Sequence, residues 1–106
     1  MKVEDWGKDH WSLLAYVVLR GIDYQGKLEV SRMRIDGEKY PTRTKAGNIP
    51  NHNDYDCLND MEDVGIIKNN GTITNPHVEI TEKGWDYVLA LFKHKANGGS
   101  FGNFVP

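Results

Sequence analysis

The sequence has a single cysteine, Cys57, among 106 residues. No intrachain disulfide can form, which excludes a disulfide-stapled secreted domain. It also lacks an excess of positive charge: 13 Lys and Arg stand against 15 Asp and Glu, a formal net of −2. A histone-like or ribosomal-type basic protein is excluded, and any nucleic-acid binding must come from a local patch. No apolar run approaches the ~20 residues a membrane span needs. The start, Met1-Lys2-Val3-Glu4-Asp5, has no apolar h-region, so it does not read as a signal peptide and a cytoplasmic domain is expected. Internal repeats and low-complexity charge blocks are missing too. What is present is 39% hydrophobic, 10% aromatic and 26% charged residues. That suffices for one small core and is too apolar for a disordered chain. The length is that of one domain, and an elaborate enzyme is not expected.

Asp9 is a candidate N-cap, and Trp11, Leu14, Ala15 and Val18 follow at i, i+3, i+4 and i+7. Tyr16, Val17 and Leu19 widen that face, so the helix should be buried on much of its circumference, ending at Arg20-Gly21. Residues 26–30 alternate like a short strand. Ser31 can cap a short helix over 32–36 with Met33 and Ile35 inward. Residues 37–53 hold two glycines, two prolines and three asparagines and keep no period, so they read as a long loop. Loops of that length are uncommon in compact domains and are often functional. Tyr55, Leu58, Met61 and Val64 then recur at a spacing of three, with Gly65 as the stop. Ile66-Ile67-Lys68 reads as a strand, Asn69-Asn70-Gly71 as a hairpin signal and Val78-Glu79-Ile80 as the return strand. Thr81 can cap a last helix with Trp85, Val88, Leu89 and Phe92 on one face and Lys93, His94 and Lys95 at its C-terminal end. The domain thus spans 1–96, and the Gly- and Phe-rich stretch 97–106 reads as a flexible tail.

The order helix, strand, short helix, loop, helix, hairpin, helix is that of a winged helix-turn-helix. The segment Leu58-Asn59-Asp60-Met61-Glu62-Asp63-Val64-Gly65-Ile66-Ile67-Lys68 resembles the end of the recognition helix and the first wing strand of MarR- and PadR-like winged-helix proteins. Val78-Glu79-Ile80-Thr81-Glu82-Lys83-Gly84-Trp85 resembles their return strand and the "L-T-E-K-G-R" entry to the next helix. Together these cover 58–68 and 78–85, under a fifth of the chain. The chain is also similar in outline to small winged-helix proteins encoded by bacteriophages. The resemblance implies an α+β, mostly α, winged helix with a β-hairpin wing and a long loop before the recognition-type helix. Two features depart from that pattern. A helix-turn-helix turn has three or four residues, whereas the loop here spans 37–53. The recognition-type helix carries Asp54, Asp56 and Asp60 where a phosphate-rich groove would repel them, at about 1 kcal/mol per close pair in water-like dielectric.

Positive charge lies elsewhere. Residues 20–45 hold Arg20, Lys27, Arg32, Arg34, Lys39, Arg43 and Lys45 against Asp23, Glu29, Asp36 and Glu38, a local net of +3. Two functions follow as expectations. One is a DNA-binding transcriptional regulator in which Arg32, Arg34, Arg43, Lys45 and Lys68 hold phosphates while Asn51, Asn53, Tyr55 and Asn59 reach base edges. The other is a protein-binding winged helix acting through Asp54, Asp56 and Asp60, such as a phage-encoded inhibitor of a host defence (anti-CRISPR or anti-restriction type) or transcription complex. The partner is accordingly double-stranded DNA or a host protein complex. A homodimer through the last helix is expected, since regulators of this type pair. No enzyme activity, cofactor or metal is called for. His52, Asp54, Asp56 and Cys57 cluster in sequence, but their spacing fits neither a zinc module nor an EF-hand loop. Nothing positions Cys57 against His10, His77 or His94 as a nucleophile and base.

Overall fold

The computed structural model describes residues 1–23, 27–29, 40–72 and 76–106. The predicted short helix at 32–36, with Arg32 and Arg34, lies outside them. The chain is α+β. A short 3-10 turn at Val3–Asp5 leads into helix α1, Lys8–Asp23. Strand β1 is Lys27–Glu29, and β2 (Thr42–Thr44) pairs antiparallel with β3 (Gly47–Ile49). Helix α2 is Asp54–Asp63. Strands β4 (Ile67–Asn69) and β5 (His77–Ile80) follow, then helix α3, Glu82–Ala96, and a 3-10 turn at Phe101–Asn103. The larger sheet has the order β1-β5-β4, all antiparallel, with Leu28 opposite Val78 and Lys68 opposite Glu79.

Helix α1 is the hub. Trp11, Leu13, Leu14, Ala15, Val17 and Val18 are all buried, whereas Tyr16 is half-buried and Leu19, expected on the same face, is exposed. Cys57, Leu58 and Met61 of α2 and Val88 and Leu91 of α3 close on it, with Ile66, Ile67 and Val78 from the sheet. Asn53 caps α2 reciprocally: its side chain accepts from the Asp56 N–H and the Asp56 carboxylate accepts from the Asn53 N–H. Gly65 ends that helix at φ +77°, a conformation glycine adopts without steric cost. The Thr81 hydroxyl accepts from the Gly84 N–H and donates to the Gly65 and Ile66 carbonyls, locking the start of α3 to the strand beneath it. A Cβ on Gly84 would overlap the Ile66 carbonyl oxygen, so this glycine lets α3 pack directly on the chain leaving α2.

Five further features differ from the sequence reading. Residues 42–49 form a hairpin, not structureless loop. Its strands have three residues each, too short to display a period, and its turn, Lys45-Ala46, lacks the usual Asn-Gly signal. Helix α1 starts at Lys8 and continues to Asp23, so Asp9 sits in its first turn rather than at the cap, and Gly21 does not end it. Asp9 instead accepts from the Arg43 backbone N–H at 2.7 Å and from the Arg43 guanidinium, which fastens the hairpin to α1. The inward face of α3 runs through Gly84, Val88 and Leu91, leaving Trp85 (40% exposed) and Leu89 (65%) outside. The stretch 97–106 is not a free tail. Phe104 is buried edge-on against Trp11, with ring centroids 4.8 Å apart, and His94 donates to the Ser100 carbonyl and the Asn103 side chain. The aromatic anchor outweighs the glycines around it.

Candidate functional site: a buried histidine-aspartate-histidine cluster beneath the hairpin

The β2–β3 hairpin lies over the start of α1. The Lys45 N–H donates to the Asp5 carbonyl, and the chain at Arg43 and Thr44 packs on Gly7, where a Cβ would come within 2.6 Å of the Arg43 carbonyl oxygen. This places Thr42, the buried first residue of β2, against the segment that enters α2. That segment turns at Asn51, in the left-handed region at φ 60°, which asparagine tolerates better than most residues. His52 follows. Its Nδ1 is 2.8 Å from the Thr42 hydroxyl oxygen, and the same hydroxyl is placed to donate to the His52 carbonyl, also at 2.8 Å.

The other edge of His52 meets Asp60. Its Nε2 is 3.1 Å from Asp60 Oδ2, and His10 Nε2 is 2.8 Å from that same oxygen. An ionised carboxylate only accepts, so both Nε2 atoms carry hydrogen in this arrangement. The Met1 amino nitrogen is 3.6 Å from the second carboxylate oxygen. Burial works to raise the Asp60 pKa, but the His10 hydrogen bond and the charges of His10, His52 and the amino terminus outweigh it. The carboxyl is held below its ordinary value.

His10 is wholly buried, stacked on Trp6 at 5.0 Å, and its Nδ1 has no hydrogen-bond partner among the described residues. A buried polar nitrogen left so costs about 1–3 kcal/mol, which an apolar residue would avoid. Cys57 lies on the far edge of His52, with Sγ 3.7 Å from Nδ1. Burial pushes its thiol well up, with Asp54 and Asp60 adding to the effect, so the group stays protonated and unreactive. That argues against a cysteine nucleophile. Among the described residues, His10, His52 and Asp60 have one ligand atom each within 4.8 Å of one another. The sequence cluster His52, Asp54, Asp56 and Cys57 does not gather as a set.

The residues expected to bind DNA or protein are placed unevenly. Arg43 and Lys45 are exposed on the hairpin, Lys68 is exposed on β4 and Asn51 is exposed at the turn. Tyr55 and Asn59 are half-buried on α2. The Asn53 side chain is engaged in the cap. Asp54 is half-buried, Asp56 closes the capping box and Asp60 faces the two imidazoles. An open depression of about 540 Å³ beside the hairpin is lined by Lys8, Asp9, Ser12, Tyr40, Arg43, His52 and Asp54, among others. His10 is the residue that sequence reasoning missed. Its signal was available: His10, Leu13, Leu14 and Val17 are themselves spaced i, i+3, i+4 and i+7, which sets a polar ring in an apolar stripe. No protein-family model matches the chain, and no curated protein or solved structure is similar to it at a level that carries an argument.

Proposed function

We propose that the chain is a small non-enzymatic winged-helix protein that binds double-stranded DNA, in the manner of a transcriptional regulator. The sheet order β1-β5-β4, first strand against the strand that returns to α3, supports the winged-helix part; the short helix that pattern needs before α2 falls outside the described residues. The observation that carries the DNA reading is the disposition of the acids on α2. Asp60 is turned inward onto His10 and His52, and Asp56 is held in the capping box. Asp60 is thereby turned away from a groove, while Lys45 and Lys68 stay exposed for phosphates and Arg43 is shared with Asp9. Base contacts fall to Asn51, Tyr55 and Asn59.

The same disposition weakens a protein-binding winged helix, which loses Asp60 from its contact surface. What favours that second reading is the exposed pair Glu62 and Asp63 at the end of α2. The homodimer contact belongs on the outward stripe of Trp85 and Leu89 on α3. Fluorescence anisotropy with a random-sequence duplex separates the two readings. Binding at low salt that weakens steeply as salt rises supports DNA. No binding at low salt rejects it in favour of a protein partner.

A further inference from the structure

We propose that His10, His52 and Asp60 form a binding site for one divalent first-row transition ion, with zinc as its simplest occupant. The reading is independent of DNA binding. Two imidazole nitrogens and one carboxylate oxygen are the donor chemistry of such ions; magnesium and calcium seek oxygen shells. The distances suit it. Donors bound at ~2.0–2.1 Å and 90–109° are themselves about 2.9–3.4 Å apart. Asp60 Oδ2 lies 2.8 Å from His10 Nε2 and 3.1 Å from His52 Nε2. All three donor atoms lie within 4.8 Å of one another, and with His10 held by its stacking it is His52, at the solvent edge, that must move to close the triangle.

The surroundings support the ligands. The Thr42 hydroxyl engages His52 Nδ1, the partner that orients a metal-bound imidazole and leaves Nε2 for the ion. Stacking on Trp6 fixes the His10 ring with Nε2 toward Asp60; an ion at Nε2 displaces its hydrogen and leaves the ring proton on Nδ1, which meets no acceptor among the described residues. His52 and Asp60 keep slight solvent access, which gives an ion a route in and leaves room for water as a further ligand. Such an ion would join α1, the hairpin-to-α2 segment and α2 at one point. It also accounts for a wholly buried histidine in the middle of an apolar stripe. Cys57 is not a ligand, because its sulfur lies by Nδ1, on the edge of His52 away from Asp60.

The test is a calorimetric titration of EDTA-treated full-length protein with zinc chloride, repeated with cobalt chloride followed by visible absorption. The expected result is one ion per chain, a raised thermal midpoint, and cobalt bands of a nitrogen-oxygen site. Asp60→Asn and His52→Gln, checked for folding by circular dichroism, should each weaken binding at least ~100-fold. Thr42→Val should weaken it about 10–100-fold, and Cys57→Ser should leave it unchanged. His52 is the decisive position if Asp60→Asn fails to fold, because it sits ahead of α2 and outside the core. Absence of stoichiometric zinc uptake overturns the proposal. So does uptake that His52→Gln leaves intact, which would trace it to the exposed His77 or half-exposed His94, and so does equal affinity for magnesium.

Discussion

Asp60 brings its negative charge into a setting of two imidazoles, and this single placement changes what α2 can do. Its neighbour Cys57 has the opposite fate. Burial and the nearby carboxylates hold the thiol protonated at neutral pH and above. Ellman's reagent at pH 8 should therefore label native protein only as fast as it unfolds, and denatured protein at once. Fast stoichiometric labelling of the native state would contradict the buried placement. Gly84 is the second residue with a sharp expectation. An added methyl overlaps the Ile66 carbonyl oxygen, and forcing such a contact costs about 1–3 kcal/mol. Gly84→Ala should lower the urea midpoint accordingly, whereas Gly47→Ala meets no neighbour and is strained only through its φ of +124°.

At the scale of elements, legibility followed the strength of local signals. Helices α2 and α3 are legible because Tyr55, Leu58 and Met61 keep a spacing of three before the Gly65 stop and Thr81 marks the start of α3. Replacing Thr81 by Ala should cost about 1 kcal/mol, the usual loss of an N-cap, read by denaturant unfolding. The sequence pattern of α3 points inward through Trp85 and Leu89, one position from the true face, because its apolar residues cover more of the circumference than the core needs. Leu89→Glu should accordingly leave the fold intact, and on the proposed α3 contact it should lower the sedimentation coefficient from that of a pair to that of a single chain. The β2–β3 hairpin was invisible for a different reason. It is held by Asp9, Asp5 and Gly7, residues more than 30 positions away, and not by its own pattern. The candidate cluster was invisible likewise: Asp60 is 50 positions from His10, and no local spacing encodes such a pair.

At the scale of the molecule, the two chain ends meet on α1. Phe104 fills a place beside Trp11, so Phe104→Ala should cost about 3–5 kcal/mol, as for an aromatic in the core, and not the negligible amount of a free tail. The net charge of −2 conceals a separation. The β2–β3 hairpin and β4 present Arg43, Lys45 and Lys68, while Asp60 of α2 is taken inside. Under the proposed function these cations meet DNA phosphates. The most direct measurement is the slope of log K against log salt for a duplex, compared between wild type and Lys45→Ala/Lys68→Ala. Each phosphate contact contributes about 0.9 to that slope, so the double variant should bind with a slope shallower by about 1.8. An unchanged slope, or no binding by the wild type at low salt, would contradict the claim.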